Sequence, residues 1–434
     1  MGSGRKSFVA TGLVGACLLA ACGSPSGAVG RNHTILFGLN VPSSTDPYVA
    51  GVITRGAKLA VDQENAAGGV AIGGSRYQLA LKTYDDHSDP QQAADNVETA
   101  IHDGAVAVIE DGIGASISAP KSAAAGVPEI IVADGNAGLL TTPSGPLPSL
   151  FGARIPNSAA SDVLATYISK TCQHVAILHD DTDNGKDGAM GLTSSLENTD
   201  ITPSPVIEVP TAAPNIDAEV QEVAVAKPCG IALWGSDLFI AKALSAIRTA
   251  GITTQIYTSQ QGESPTVRLL DGNAETDGMK IVTGRMTSES DSTSFPSFER
   301  ALAKYALGPT NAGFKDAEGQ EIRQPNDVDF FSYDSVHIVL AALKKQGSVT
   351  TGPTLLTDMT LVTVVSANGD ARGFDSQAHE FFAFEDAYIA VIHDMQFEPV
   401  KDEALSATLP DENEILADFD GALESCNGAP CPSS

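Results

Sequence analysis

Residues 106–120 read VAVIEDGIGASISAP. A strand-like apolar run, Val106 to Ile109, meets two carboxylates, Glu110 and Asp111. It then empties into a loop of small residues ahead of Pro120, a residue that fits the first turn of a helix. Small residues let a guest approach the backbone. A helix start presents unpaired N–H groups and a partial positive charge. Strand, small-residue loop and helix start, in that order, predict a place to hold a small polar molecule.

The flanking sequence repeats this grammar. ILFGLNV (35–41) reads as a buried strand, and residues 50–66 carry apolar positions at helical spacing until Gly68-Gly69 stops them. YQLALKTYD (77–85) is a strand, and residues 89–104 form a helix with Asp89 as N-cap and Pro90 at its first position. Strand 105–111, helix 119–126 and strand 129–134 follow. A βαβ series of this kind implies a parallel sheet with right-handed crossovers. The series restarts after residue 152. Helices are expected at 158–171, 187–198, 215–226 and 239–251, and strands at 175–180, within 201–210, at 230–236 and at 254–259. Helices 296–307 and 327–347 and strands 361–367 and 387–395 complete the chain, with 261–279 and 286–295 read as polar loops. The fold class is therefore α/β with two similar lobes, as a 434-residue chain exceeds one ordinary core.

The formal net charge is −29. Such a chain repels nucleic acid and anionic headgroups, so neither is an expected partner. Residues 1–21 read as a signal peptide, with basic Gly4-Arg5-Lys6 and an apolar stretch, Phe8 to Ala21, too short to span a bilayer. Leu19-Ala20-Ala21-Cys22-Gly23 resembles the lipobox of bacterial lipoproteins, which implies lipidation of Cys22 and a tether over 22–32. Four further cysteines remain once Cys17 leaves with the signal: Cys172, Cys229, Cys426 and Cys431. Three pairings are possible. Cys172 and Cys229 each sit just before a strand, and parallel neighbouring strands bring such positions side by side. Cys172–Cys229 is expected, with Cys426–Cys431 closing a small loop near the tail. No CxxC or His-rich spacing supports zinc.

With both lobes traced, GAKLAVDQENAAGGV (56–70), DDHSDPQQAADNV (85–97), the 105–126 unit, FGARIPNSAASDVLATYI (151–168), VAILHDDTDNGKDG (175–188) and FFSYDSVHIVLAAL (330–343) resemble the type I periplasmic solute-binding proteins. The nearest group is the branched-chain amino acid binders of ABC importers. The resemblance implies two Rossmann-like lobes with parallel sheets, joined by a three-strand hinge, with ligand between them. Lobe 1 would comprise 33–152 plus about 285–355, and lobe 2 would comprise 153–284 plus about 356–420, with 421–434 as a tail. Ligands of open parallel sheets bind beyond the carboxyl ends of the strands.

Residue by residue, the resemblance places Ser116 and Ser118 on a ligand carboxylate, although both can equally cap the following helix. Asp134 and Asn136 end the next strand and fall where ligand contacts are made, or form a plain Asx turn. Tyr48 is positioned to stack on the ligand or to lie on the surface. Asn184 stands where an aromatic is usual. The surrounding loop fails the calcium template, so no metal is expected. Trp234 walls the pocket or fills the core. Asp237 is an acid near the cleft or the cap of helix 238–250. Gln260 replaces the carboxylate that pairs with a ligand ammonium. An ammonium is costly to bury unpaired, so Asp134 or Asp237 supplies the charge, or the ligand has none.

The expectation is a monomeric, lipid-anchored protein on the extracytoplasmic face of the cell membrane, touching the bilayer only through its lipid. It would use no cofactor, capture an amino acid or a related carboxylate or amide, and deliver it to the permease and ATPase of an ABC importer. A ligand sensor on the same fold is the alternative. No G-x-S-x-G, H-E-x-x-H or G-x-x-x-x-G-K-[ST] pattern points to an enzyme. The Asp85-Asp86 and Asp180-Asp181 pairs are adjacent strand-end residues that point to opposite sides.

Overall fold

A computed structural model describes residues 33–284, 295–306, 324–367, 371–381 and 387–400. Two sheets organise them. The first contains β1 (Thr34–Val41), β2 (Val70–Ile72), β3 (Ser75–Asp85), β4 (Ala105–Glu110), β5 (Glu129–Ile131) and β6 (Leu150–Gly152), in spatial order β2-β3-β1-β4-β5-β6. All are parallel except β2, which folds back antiparallel on β3. The second contains β7 (Val175–Asp180), β8 (Val206–Val209), β9 (Gly230–Trp234), β10 (Gln255–Thr258), β11 (Lys280–Thr283), β12 (Tyr388–His393) and β13 (Gln396–Pro399), in order β8-β7-β9-β10-β11-β12-β13. It is parallel as far as β11, and β12 and β13 add antiparallel. The α/β, two-lobed expectation holds, with mixed rather than purely parallel sheets.

The central strands explain why the sequence folds this way. Every residue of β4 and of β7 is buried, as near-continuous apolar strands are when helices cover both faces of a parallel sheet. Helix Pro47–Ala66 starts where Asp46 Oδ1 accepts from the N–H groups of Tyr48 and Val49. It packs on helix Asp327–Gln346, and Arg55 grips Asp329 bidentately at 2.6 and 2.5 Å. Both side chains are buried. Gly56 permits this approach, since a Cβ there would lie 2.2 Å from the Asp329 carbonyl oxygen.

The chain passes between the sheets three times: after Gly152, after Thr283 and before Tyr388. The first and third passages touch. Gly152 N–H donates to His379 O, and Phe381 N–H donates to Gly152 O. Arg154, on the first passage and fully buried, pairs with Glu380 on the third. The return to the second lobe comes later than the expected residue 356. Helix Pro353–Met359 lies against the first lobe, where Gly352 N–H donates to Gly126 O, and Ala367 N–H donates to Asp334 at 2.9 Å.

Two local expectations are corrected. The helix after β4 runs Ala115–Ala125, not 119–126, so Pro120 is inside it and the small-residue loop is only a short turn. Gly112 and Gly114, at φ 114° and 78°, make that turn. The tract 261–279 is not a loop. It holds a short helical turn, Gln260–Glu263, and helix Pro265–Thr276, kinked at Gly272. The expected loop at 286–295 lies almost wholly outside the described residues, as do the signal peptide, Cys22, the tether, Cys426, Cys431 and the tail.

Cys172 and Cys229 form a disulfide with Cα atoms 5.5 Å apart. They sit just ahead of β7 and β9, which pair in parallel with Val175 opposite Gly230. The side-by-side strand starts inferred from the sequence are the physical reason for the bond.

Candidate functional site

The strand tips of the two sheets face each other across a cavity of about 190 Å³. At ~30 Å³ per water in the liquid, this admits roughly six waters or one small guest. The first sheet contributes Asp111 and Ile113 beyond β4, and Ala133 and Asp134 beyond β5. The second contributes Thr182 and Asn184 beyond β7, Ser236 and Asp237 beyond β9, and Gln260, Gln261, Glu263, Ser264 and Pro265 beyond β10. Val49, Val52, Asn326 and Val328 close it from the paired helices of the first lobe. A second chamber of about 420 Å³ shares Asp111, Ile113, Ser236 and Asp237, and adds Asp46, Phe239 and Lys242.

The lobes touch around the cavity. Gln261 Nε2 donates to Ala133 O at 2.8 Å, and the Thr266 hydroxyl donates to Asp46 Oδ1 at 2.8 Å. Gln260 Oε1 accepts from Ile155 N–H at 3.2 Å. Asn157 Nδ2 donates to Asn184 Oδ1 at 2.9 Å, fixing the start of helix Asp183–Glu197.

Four of the nine residues expected at the site line the cavity: Asp134, Asn184, Asp237 and Gln260. The other five do not, each for a local reason. Tyr48 is on the first turn of its helix but does not line the cavity, where Val49 forms part of the wall. Ser116 is on the exposed face of its helix. Ser118 is fully buried and donates to Glu129 at 2.5 Å, so it serves the core. Asn136 Oδ1 accepts from Gly138 N–H at 2.8 Å, the Asx turn. Trp234 is fully buried against helix Asp183–Glu197, where a Cβ on Gly188 would come within 1.8 Å of its Nε1. Asp237 is not the cap of its helix. Ser236 caps Asp237–Thr249, and Asp237 is its first residue.

Among the lining residues that sequence reasoning missed are Asp46, Asp111, Val49, Val52, Ser236 and Val328. Two of these had a signal. Asp46-Pro47 repeats the cap-then-proline pattern read at Asp89-Pro90, and Asp111 sits at the very strand end that opened the reading.

Carboxylates dominate the electrostatics. Burial pushes Asp237 up to about 8, with the Asp46 carboxyl facing it from the other lobe as the second cause. Burial raises Asp134 to about 6, opposed by the N–H of Asn136 and by Arg154 and aided by Asp187 and Asp183. Asp111 is held well above the usual carboxylate range by burial and then by Asp86, with Asp134 and Asp237 adding to it. Among the described residues, no group of three or more His, Cys, Asp and Glu side chains is placed to hold a metal ion. No helix among them is long and apolar enough to cross a membrane.

A family model described as periplasmic binding protein matches residues 35–396. The chain belongs to the periplasmic binding protein family. Solved structures share its fold. A type 1 periplasmic binding protein from Bordetella pertussis Tohama I aligns with TM-score 0.74 at 18% identity, over 85% of this chain and 100% of its own. The branched-chain amino acid transporter substrate-binding protein LivJ from Streptococcus pneumoniae, in complex with isoleucine, gives 0.69 at 21%, over 84% and 98%. An ABC transporter solute-binding protein from Rhodopseudomonas palustris BisB5, in complex with 3,4-dihydroxybenzoic acid, gives 0.67 at 19%, over 85% and 96%. No curated protein matches the sequence. The family resemblance read from the sequence motifs is thus borne out. The neighbours bind chemically different guests on one fold, so the guest must be argued from this cavity's own side chains.

Proposed function

We propose that this periplasmic binding protein is the lipid-anchored solute receptor of an ABC importer, held at the extracytoplasmic face through Cys22. It captures one small polar molecule between its lobes and passes it to the permease and ATPase. One observation carries this reading: five strand ends from two separate sheets deliver carboxylate, amide and hydroxyl groups into one small cavity. Such convergence at the carboxyl ends of parallel strands is where open α/β sheets bind ligands.

The mechanism is a biased equilibrium. A guest that touches Asp111 and Asp134 of one lobe and Ser236, Asp237 and Gln260 of the other interacts fully only when the lobes are together, so it favours the closed arrangement by that difference in affinity. Of the ligand classes that the family resemblance implies, those bearing an ammonium group suit the acidic lining, and Asp237 or Asp134 supplies the charge that Gln260 lacks. A thermal-shift panel of amino acids, amides and aromatic acids tests the reading, followed by small-angle scattering with any hit. A stabilising ligand that also shrinks the radius of gyration is expected. A ligand that stabilises without compaction would refute the closure mechanism.

A further inference from the structure

We propose that the cleft takes a small organic cation with no carboxylate of its own: an amine or quaternary ammonium group on a short apolar body. The inference rests on reading the cleft as a solute site, and it narrows the guest.

A zwitterionic amino acid or an aromatic acid needs somewhere to put a carboxylate. On this fold the natural place is a helix start with free N–H groups. Here Thr182 and Ser236 cap the second-lobe helices, and the protein's own acids stand at or just ahead of those starts. Asp111 Oδ1 accepts from Ile113 N–H at 2.9 Å, ahead of helix Ala115–Ala125. Asp180 accepts from Thr182 N–H and, at 2.8 Å, from Ser236 N–H, ahead of the two helices of the second lobe. Asp237 Oδ1 accepts from Leu238 N–H at 3.0 Å. A ligand carboxylate at any of these positions would compete with the protein's own acid for the N–H group, and would be held only while that acid stays protonated.

Among the described residues, no lysine, arginine or histidine lines the 190 Å³ cavity. Arg154 lies behind Asp134, committed to Glu380 and to the carbonyls of Asp134 and Asn136. Lys242, in the 420 Å³ chamber, donates to Ala213 O.

A second, independent observation points to a cation. Asp46 is 5% exposed, and its Oδ2 accepts no hydrogen bond from any N–H or hydroxyl group. Its neighbour across the cleft is the Asp237 carboxyl, close enough to share a hydrogen bond with it when one of the two is protonated. Two acids from opposite lobes satisfy each other only by sharing a proton, whereas a bound N–H or quaternary cation satisfies both. Among the described residues these acids do not converge into a metal-ligating group. Val49, Val52, Ile113 and Val328 give the guest's apolar body its wall.

The test is isothermal titration of the purified protein with isoamylamine, phenethylamine and choline, against leucine, glutamine and benzoate. At least one cation is expected to bind ten-fold or more tightly than every carboxylate-bearing probe. Asp237→Asn and Asp46→Asn, each checked for an intact melting transition, are expected to weaken that binding at least ten-fold; asparagine at 46 still caps its helix. Tighter binding of leucine or benzoate overturns the cation assignment and leaves the receptor reading intact. Cation binding unaffected in both variants overturns the site. Failure of every probe of every class to bind counts against both readings.

Discussion

Replacing Arg154 by methionine is expected to cost about 3–5 kcal/mol of stability. The side chain is fully buried, and Glu380 beside it is only 12% exposed. Its guanidinium also donates to Asp134 O at 2.6 Å and to Asn136 O at 3.2 Å. Methionine keeps much of the apolar volume but strands a buried carboxylate and two carbonyls. Removing one partner of a buried pair costs ~3–5 kcal/mol because the survivor is left uncompensated. Arg154 also sits where the first passage between the lobes meets the third, so the loss falls on the hinge and on the loop that carries Asp134. Urea unfolding, followed by circular dichroism, measures the loss as a shift in midpoint at constant slope. Burial already raises the Glu380 carboxyl, and Arg154 opposes that rise. Without Arg154 the carboxyl rises further, so the destabilisation must grow as pH rises and that group ionises. Adding Glu380→Gln must restore at least about 1 kcal/mol, since it removes the stranded charge. A single-variant loss below ~1 kcal/mol, or a double variant equal to the sum of the two single losses, would refute the assignment of a buried, coupled pair.

Reduction of Cys172–Cys229, 57 residues apart, releases a loop whose closure is worth about 4 kcal/mol by chain entropy. A urea midpoint unmoved by reductant would reject that value, and ligand affinity should survive because the bond lies at the strand ends remote from the cavity. Trp234, the chain's single tryptophan and fully buried, should emit in the blue and resist acrylamide quenching; an emission typical of exposed indole rejects its core position. Gly188→Ala drives a methyl into Trp234 Nε1 and should cost ~1–3 kcal/mol, as overpacking does, with a red-shifted emission. Asp237, raised to about 8, and Asp134, raised to about 6, bind protons in the fold that the unfolded chain has lost above its ordinary 3.8. The unliganded protein should therefore lose stability as pH rises from about 4 to 8. Asp237→Asn should flatten that slope above pH 6, and melting temperatures across this range check it.

How far the sequence alone reached can be argued from particular residues. β4 and β7 were legible because fully buried parallel strands read as unbroken apolar runs. Asp89-Pro90 announced its helix, and the cysteine pairing followed from the strand order. The turn after β4 misleads because Pro120 fits the first turn of a helix. It is tolerated inside a helix whose true beginning is marked only by Gly114 in the left-handed region. Ser118 was drawn to the ligand by its place in the motif. Nothing local reveals that Glu129, eleven residues on, folds back to claim its hydroxyl. Helix Pro265–Thr276 was hidden by its polar composition. Its anchors, Thr266 on Asp46 and Arg268 on Met395 O and Asn326, are all distant in sequence. The missed wall residues share that property, for Val49 and Val328 become neighbours only when helices 47–66 and 327–346 pair.

The same acids that exclude a ligand carboxylate also set the terms of closure. Bringing Asp46 and Asp111 of one lobe against Asp237 of the other concentrates acids in a space that sheds water, which raises Asp111 and Asp237 and opposes closing while they are ionised. A bound proton offsets this only in part and carries no selectivity. A guest cation offsets it at the point where the two lobes meet, so its interaction energy is spent almost wholly on the closed form. Every tenfold in closed-over-open preference requires about 1.4 kcal/mol of that differential interaction. An acidic seam with no internal counter-cation is therefore a receptor that resists closing on nothing. The cost of its carboxylates in the empty protein is what makes the closed form depend on the charge of the guest.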